Sequence, residues 1–290
     1  MGMRCDLHVH THHSGMCTVP VLNRFCRESY NDPLELYEIL KQRGMDLVTI
    51  TDHDSIDAGE PLRRHDDFFL SEEVSCVTPS GTRLHVGVYG IEERHHVDLQ
   101  RRRNDLISLL AWLREERLFY VVNHVFSSLT GRRTDADFAL FEDFFPAFET
   151  LNGQMPRFSN RAASELAASL GKPATGGSDA HTLAPLGRTW TEVKAARNVP
   201  EFLEGLRQGH GHVQGETGSY KKLTLTVLEI GYRMMREKAW AFLFSPLLLA
   251  VPAITLANSL REIAFTYRWV RRVQKRNRRT LPQTPSEVFS

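Results

Sequence analysis

Cysteine is scarce and unpatterned in this chain: Cys5, Cys17, Cys26 and Cys76 are the four among 290 residues, and no two form a CxxC pair. Neither a zinc ribbon nor a disulfide framework is indicated, and free thiols in a reducing cytosol are the default. No secretory leader is expected, because the first motif starts almost directly after Met1. Nor does one sign of charge dominate: 36 Lys and Arg face 35 Asp and Glu, a formal net charge of +1. Hydrophobic content of 41% and charged content of 24% are ordinary for a globular protein. A chain of this length can bury a full core, sized for one α/β barrel with an appendage.

The balanced total hides a split. Residues 221–290 hold 13 Lys/Arg and 4 Asp/Glu, whereas the first 220 hold 23 and 31. An acidic body joined to a basic tail predicts two modules with different partners, 1–215 and 216–290.

What the body has in plenty is histidine and carboxylate at the ends of apolar runs. Asp6-Leu7-His8-Val9-His10 places two imidazoles at i and i+2, on one face of an extended segment. A metal ion needs several ligands converging on one point, and a rigid strand supplies two at little ordering cost. Alone, such a pair reads equally well as one packed and one solvated histidine. Here it is repeated. Leu47-Val48-Thr49-Ile50-Thr51 ends in Asp52-His53-Asp54, the strand predicted over 68–77 carries Glu72 and Glu73, and the one over 84–90 carries His85. Phe119-Tyr120-Val121-Val122 runs into Asn123-His124, 147–151 bears Glu149, and 173–175 leads into Gly176-Gly177-Ser178-Asp179-Ala180-His181.

Between these runs, helical periodicity predicts helices over 33–43 (capped by Asp32 and closed by Gly44), 99–117, 138–145 and 159–170 (closed by Gly171). Residues 11–27 read as a loop. Alternating strands and helices predict a mostly parallel sheet covered by helices, with functional residues at the carboxyl ends of the strands.

The segments DLHVH at 6–10, TITDHDSID at 49–57, EVS at 73–75, LHVGVYG at 84–90, NH at 123–124 and GGSDAH at 176–181 resemble, in order and spacing, the PHP (polymerase and histidinol phosphatase) domain family. The resemblance covers 4 to 215. It implies a distorted barrel of seven β/α units with a di- or trinuclear centre that hydrolyses phosphoesters. Position by position, it implies that His8, His10, Glu73 and Asp179 hold one metal. Glu73 then bridges to a second completed by His85 and His124, and His53 and His181 hold a third. The third site of the family usually takes an Asp or His where this chain has Gly15, so either His13, His12 or Cys17 substitutes, with His13 preferred, or the third metal is weak or missing. Nitrogen and oxygen donors without thiolate suit Mn, Zn or Fe, two or three ions in all.

Around that centre, Glu73 and Asp52 are expected to serve catalysis. Asp6 and Asp52 either orient an imidazole or bond to backbone, and Glu149 is a ligand or a support. Arg132, Arg133, Arg157 and Arg188 are candidate clamps for phosphoryl oxygens, with Arg157 and Arg188 carried furthest. Glu72, His65, His95, His96, His210 and His212 read as solvated. A small phosphorylated molecule or nucleotide is the expected substrate. A nuclease, a nucleotide phosphatase, or a barrel reduced to a metal-bound binding module are the alternatives.

The tail carries a run without charge over 239–257, AWAFLFSPLLLAVPAITLA, about 28 Å if helical against a bilayer core of about 30 Å. Pro246 and Pro252 are expected to break or kink it. A basic amphipathic helix is predicted to follow over 258–279, its aromatic residues and arginines suited to an anionic membrane surface. Residence in the cytoplasm, at the cytoplasmic face of the membrane, is the resulting expectation. Burial against the body and a nucleic-acid arm are the competing readings, the latter weaker because it gives the apolar run no use.

Overall fold

The structure, a computed structural model, describes residues 2–19 and 21–280. Residues 281–290, the end of the expected second module, lie outside the described residues. In chain order the elements are β1 (Met3–Cys5), α1 (Pro33–Gln42), β2 (Ser71–Val77), β3 (Arg83–Tyr89), α2 (Glu93–Arg102), α3 (Leu106–Glu115) and β4 (Phe119–Val122). There follow α4 (Asp135–Phe144), β5 (Ala147–Asn152), α5 (Arg157–Ser169), β6 (Ala174–Gly177), β7 (Thr189–Val193), α6 (Val199–Arg207), β8 (Gly211–Gly215), α7 (Tyr220–Glu237), a 3-10 segment (Ala239–Ala250) and α8 (Val251–Thr280).

Helix starts follow local chemistry. Asp32 accepts from the N–H groups of Leu34 and Glu35 ahead of Pro33, and Thr134 and Asp137 cap α4 reciprocally. The single helix expected over 99–117 is two, because Asp105 turns its carboxylate onto the Ser108 N–H and so begins α3 anew.

The strands form two sheets, β1-β7-β8 and β2-β3-β4-β5-β6. Only β4–β5 and β5–β6 run parallel, which corrects the expected mostly parallel sheet. β2 and β3 are joined by a short turn, Thr78–Thr82, with Gly81 at φ +81°, and so brief a link permits only antiparallel pairing. A closed barrel ladder is not present among the described residues. The segment over 47–53 forms no ladder: it meets its neighbours at isolated bridges, Val48 to Phe68 and His53 to Glu73, and through single bonds from the Leu47 and Thr51 N–H groups to the Arg4 and Val9 carbonyls. There hydroxyls replace ladder bonds: Thr51 Oγ1 accepts from the Val9 N–H at 3.0 Å, and Thr49 Oγ1 donates to the Phe69 carbonyl at 2.7 Å. A further bridge joins Val9 to Ala180 beyond β6, so the His8–His10 segment lies beside the loop that carries Asp179.

The larger core lies between the five-stranded sheet and α3, α4 and α5, and Trp269 and Val273 of α8 belong to it. Trp269 stacks on Phe138 at 5.1 Å, Ser159 and Thr266 share a 2.7 Å hydrogen bond, and the Glu262 carboxylate accepts from the Ser128 N–H. Pro246 lies inside the 3-10 segment and Pro252 at the second position of α8, where the expected break in the apolar run is found.

Candidate metal centre

Glu73 leaves the middle of β2 and is fully buried among histidines from four other segments. Its Oε1 faces His85 Nδ1 at 3.3 Å and His124 Nε2 at 3.2 Å. Its Oε2 faces His8 Nε2 at 3.3 Å, His10 Nε2 at 3.5 Å and His53 Nδ1 at 3.2 Å. Asp179 Oδ1 stands 3.6 Å from His8 Nε2 and 3.4 Å from His10 Nε2. Two ligand atoms about 2.1 Å from a tetrahedral ion lie about 3.4 Å apart, so these separations suit donors that share an ion.

Hydrogen bonds on the far side of the rings fix which nitrogen is free. His8 Nδ1 lies 2.7 Å from Glu149 Oε1, so it carries the proton and turns the Nε2 lone pair inward. The Ser14 hydroxyl donates to Asp52 at 2.6 Å, which leaves its oxygen to accept from His10 Nδ1 at 2.9 Å. His181 Nδ1 donates to the Asp179 carbonyl at 3.0 Å. The inward atoms that result, His8 Nε2, His10 Nε2, His53 Nδ1, His85 Nδ1 and Glu73 Oε2, are buried and have no hydrogen-bond partner. Buried donors and acceptors are seldom left unpaired, and a group of them aimed at one another fits a cation. Four sets of three can each hold an ion: His8-His10-Asp179, His8-Glu73-His124, His53-Glu73-His85 and His10-His53-His181.

The two carboxylates are held in their ionised form, and the imidazoles divide. Burial alone would raise the Glu73 carboxyl, but the imidazoles of His8, His85 and His53 prevail and hold it well below the usual carboxylate range. Asp179 is depressed in the same way, by His8 first. Burial pushes His53 down to about 4, and burial together with His181 lowers His10. Against their burial, Asp179 and Glu73 hold His8 above the usual imidazole range, Glu73 does the same for His124, and Glu28 lifts His181 to about 9, so an ion binding these three would displace protons, while His10 and His53 are already neutral. Backbone strain is concentrated here too: His124 at φ +28°, Asp179 at +52° and Asp54 at +53° occupy the left-handed region without being glycine. Gly177 is required by close approach, since a Cβ there would fall 2.3 Å from the His8 backbone nitrogen.

Of the ligands expected from the sequence, His8, His10, His53, Glu73, His85, His124, Asp179 and His181 come together. His13 and His12 do not join them. Their rings pack on each other at 4.3 Å, and His12 Nδ1 donates to the Asn31 carbonyl at 3.1 Å. The place they were expected to fill is held by Glu28, which sequence reasoning missed. Its two carboxylate oxygens stand 3.5 Å from His53 Nε2 and 3.6 Å from His181 Nε2, and these imidazoles draw its carboxyl down to about 2 against its burial. Glu28 reaches the site because its N–H donates to the carbonyl of Gly15, the residue whose side chain is missing.

Asp52 does not touch the centre and acts through Ser14 on His10, while Asp6 accepts from the N–H groups of His8, Ser178 and Gly187 and pins the first segment to the Asp179 loop. Burial raises the Asp6 carboxyl to about 6. Glu149 is a support: besides His8 it accepts from the His124 N–H at 2.8 Å and from Asn152 at 3.0 Å. Glu72 is not solvated. It is fully buried and bonded to His96 and Gln100 of α2, and His95 is buried in the cap of the same helix.

The centre opens into a cavity of about 390 Å³. None of the four expected arginines lines it. Arg133 is buried with its guanidinium bonded to the Arg83 carbonyl and to Thr130, Arg188 pairs with Glu216, and Arg132 and Arg157 are exposed elsewhere. The cation on its wall is Arg83, without an ion pair among the described residues. Arg83 precedes His85 by two on β3, so both lie on one strand face, a period-two signal present in the sequence. The far wall comes from the tail: Ser219, Leu223, Asn258, Ser259 and Glu262.

A family profile described as PHP-associated matches residues 157–210. The fold is similar to that of a two-domain protein of Bacteroides vulgatus containing a predicted PHP-like metal-dependent phosphoesterase, with 15% identity, 74% of this chain and 65% of that one covered, and a TM-score of 0.56. PsfC of Pseudomonas syringae is similar at 17% identity over 79% of this chain and 98% of its own, with a TM-score of 0.55. An uncharacterised protein of Methanocaldococcus jannaschii is 30% identical over 76 residues, which are 25% of this chain and 41% of that protein's length.

Proposed function

We propose, from the premise that this chain belongs to the PHP domain family by its PHP-associated segment and its fold, that it is a hydrolase of phosphoesters working with two or three divalent ions, Mn, Zn or Fe. The observation that carries the reading is the Glu73 carboxylate, with separate groups of imidazole nitrogens before its two oxygens, those of His8, His10, His53 and His85 without a hydrogen-bond partner. His8, His10, Glu73 and Asp179 would hold one ion, Glu73, His85 and His124 a second, and His53, His181 and Glu28 a third. In this division of labour residues 1–215 carry every ligand and 216–290 complete the cavity.

Bound ions supply Lewis acidity toward phosphoryl oxygens and a water of lowered pKa. The remaining work falls to the chain. Glu149, Ser14 with Asp52, and the Asp179 carbonyl hold the imidazole protons on the outer nitrogens and keep the inner lone pairs aimed. Arg83 meets the non-bridging oxygens as a charged donor. Asn258, Ser259 and Glu262 close the cavity against bulk water. Overall, a water oxygen bonds to phosphorus, the ester P–O bond breaks, and the water's proton passes to the departing alcohol.

The test is hydrolysis of a generic aryl phosphate by the manganese-loaded protein. Turnover that disappears in His10→Ala is the expected result, and a metal-loaded protein inert toward every mono- and diester contradicts the proposal.

A further inference from the structure

The tail has two faces that point to one kind of substrate. Of the uncharged run over 239–257, only Ala241, Val251 and Thr255 are buried, and Leu243 and Leu249 are 82% and 86% exposed. The stretch Ala239–Arg276 is long and apolar enough to cross a membrane, yet only 17% of its most apolar window is buried. An exposed apolar surface of this extent marks a contact site. Its borders say what kind. Trp240 stands at one end, and Arg261, Arg268 and Arg271 are exposed along α8 at the other, Arg271 over the Tyr267 ring at 4.1 Å. Aromatic and cationic anchors around an uncharged apolar patch match the boundary between acyl chains and anionic headgroups.

The opposite side of the same helix builds the catalytic cavity. Asn258, Ser259 and Glu262 line it, one turn or less from the exposed Ile254, Leu256, Leu260 and Ile263. The lip is apolar as well: Met16, Leu129 and Leu223 border the opening, and Leu129 is 69% exposed. A soluble metabolite has no use for this surface. A phosphoester whose alcohol is anchored in a bilayer does, since its headgroup can enter the cavity while its acyl chains stay outside.

We infer that the 3-10 segment and α8 together seat the protein on an anionic membrane surface and that the centre hydrolyses the phosphate headgroup of a membrane lipid. This rests on the hydrolytic reading above. Water bonds to the headgroup phosphorus, the ester bond to the lipid alcohol breaks, that alcohol takes the proton, and inorganic phosphate leaves.

The experiment uses the full-length, manganese-loaded protein with phosphatidylcholine vesicles carrying phosphatidic acid, phosphatidylglycerophosphate or phosphatidylinositol 4-phosphate. Flotation and phosphate release are measured beside turnover of a soluble aryl phosphate. Wild-type protein should float and release phosphate from at least one vesicle type. The double variant Leu243→Glu, Leu249→Glu, changed only at exposed positions, should stop floating and lose at least about tenfold in vesicle turnover, since one buried leucine is worth about tenfold in partitioning. Its aryl phosphate turnover should stay at the wild-type level. Wild-type protein that hydrolyses the aryl phosphate but neither floats nor attacks vesicle lipid overturns the inference and leaves the hydrolytic reading intact. So does a protein that self-associates through this face without floating. Absence of aryl phosphate turnover strikes the hydrolytic reading itself.

Discussion

The metal centre and the tail are opposites in how they treat water. In the centre, charged and polar groups are buried, and the outward nitrogens of His8, His10 and His181 are bonded, so that their inner ones are aimed before any ion arrives. In the tail, many apolar groups are exposed, while a narrow stripe of α8, through Val251, Thr255, Glu262, Thr266, Trp269 and Val273, turns inward, as do Met234, Met235 and Ala241 before it. The first arrangement is rigid because an unpaired buried charge is costly, and the second is tolerable only if something apolar covers it. Chemistry and placement are thus assigned to different parts of one chain, with α8 belonging to both.

The largest effect is expected from cutting the tail's inward stripe. Trp269 is almost fully buried against Phe138, so Trp269→Ala should cost about 3–5 kcal/mol in denaturant unfolding of the whole protein. An unchanged unfolding transition for the body would mean that α8 is a separate attachment.

Next in size is the support of the first imidazole. Glu149→Gln keeps the volume but removes the ionised acceptor for His8 Nδ1, and metal affinity should fall about 10–100-fold in a chelator competition. A smaller, countable effect separates the two candidates for the third site. Glu28→Gln should lose one equivalent of bound metal by elemental analysis, whereas His13→Ala should lose none.

The smallest effect is a slope. Burial holds the Glu72 carboxyl above its usual 4.5, and the pairing with Glu72 holds His96 above its usual 6.5. In both cases the folded chain binds the proton more tightly than the unfolded one, so this pair's contribution declines as pH rises from about 4.5 through the imidazole range. Thermal melts of metal-free protein should show that decline, flattened in His96→Gln. An equal slope in the variant would remove the pair as its source.

Much of the centre was legible because His53, His124 and Asp179 close apolar runs, while His8, His10 and His85 alternate with apolar residues inside extended ones. Glu28 was not, since it follows a loop and is brought in by a backbone bond to Gly15 and a lone bridge between Met16 and Arg27. The burial of Glu72 depends on α2 folding across β2, a contact that alternation within β2 cannot reveal. The parallel sheet was overestimated for a similar reason: the Thr78–Thr82 turn decides strand direction, and it is short enough to be overlooked between two apolar runs. Arg83 was passed over for arginines after strand ends, although it shares a strand face with His85.

The most direct measurement is metal content. Protein freed of metal with a chelator, then equilibrated with manganese and desalted, should retain two or three ions per chain and fewer in His8→Ala and His10→Ala. Less than one ion per wild-type chain, with folding intact, would contradict the account at its centre.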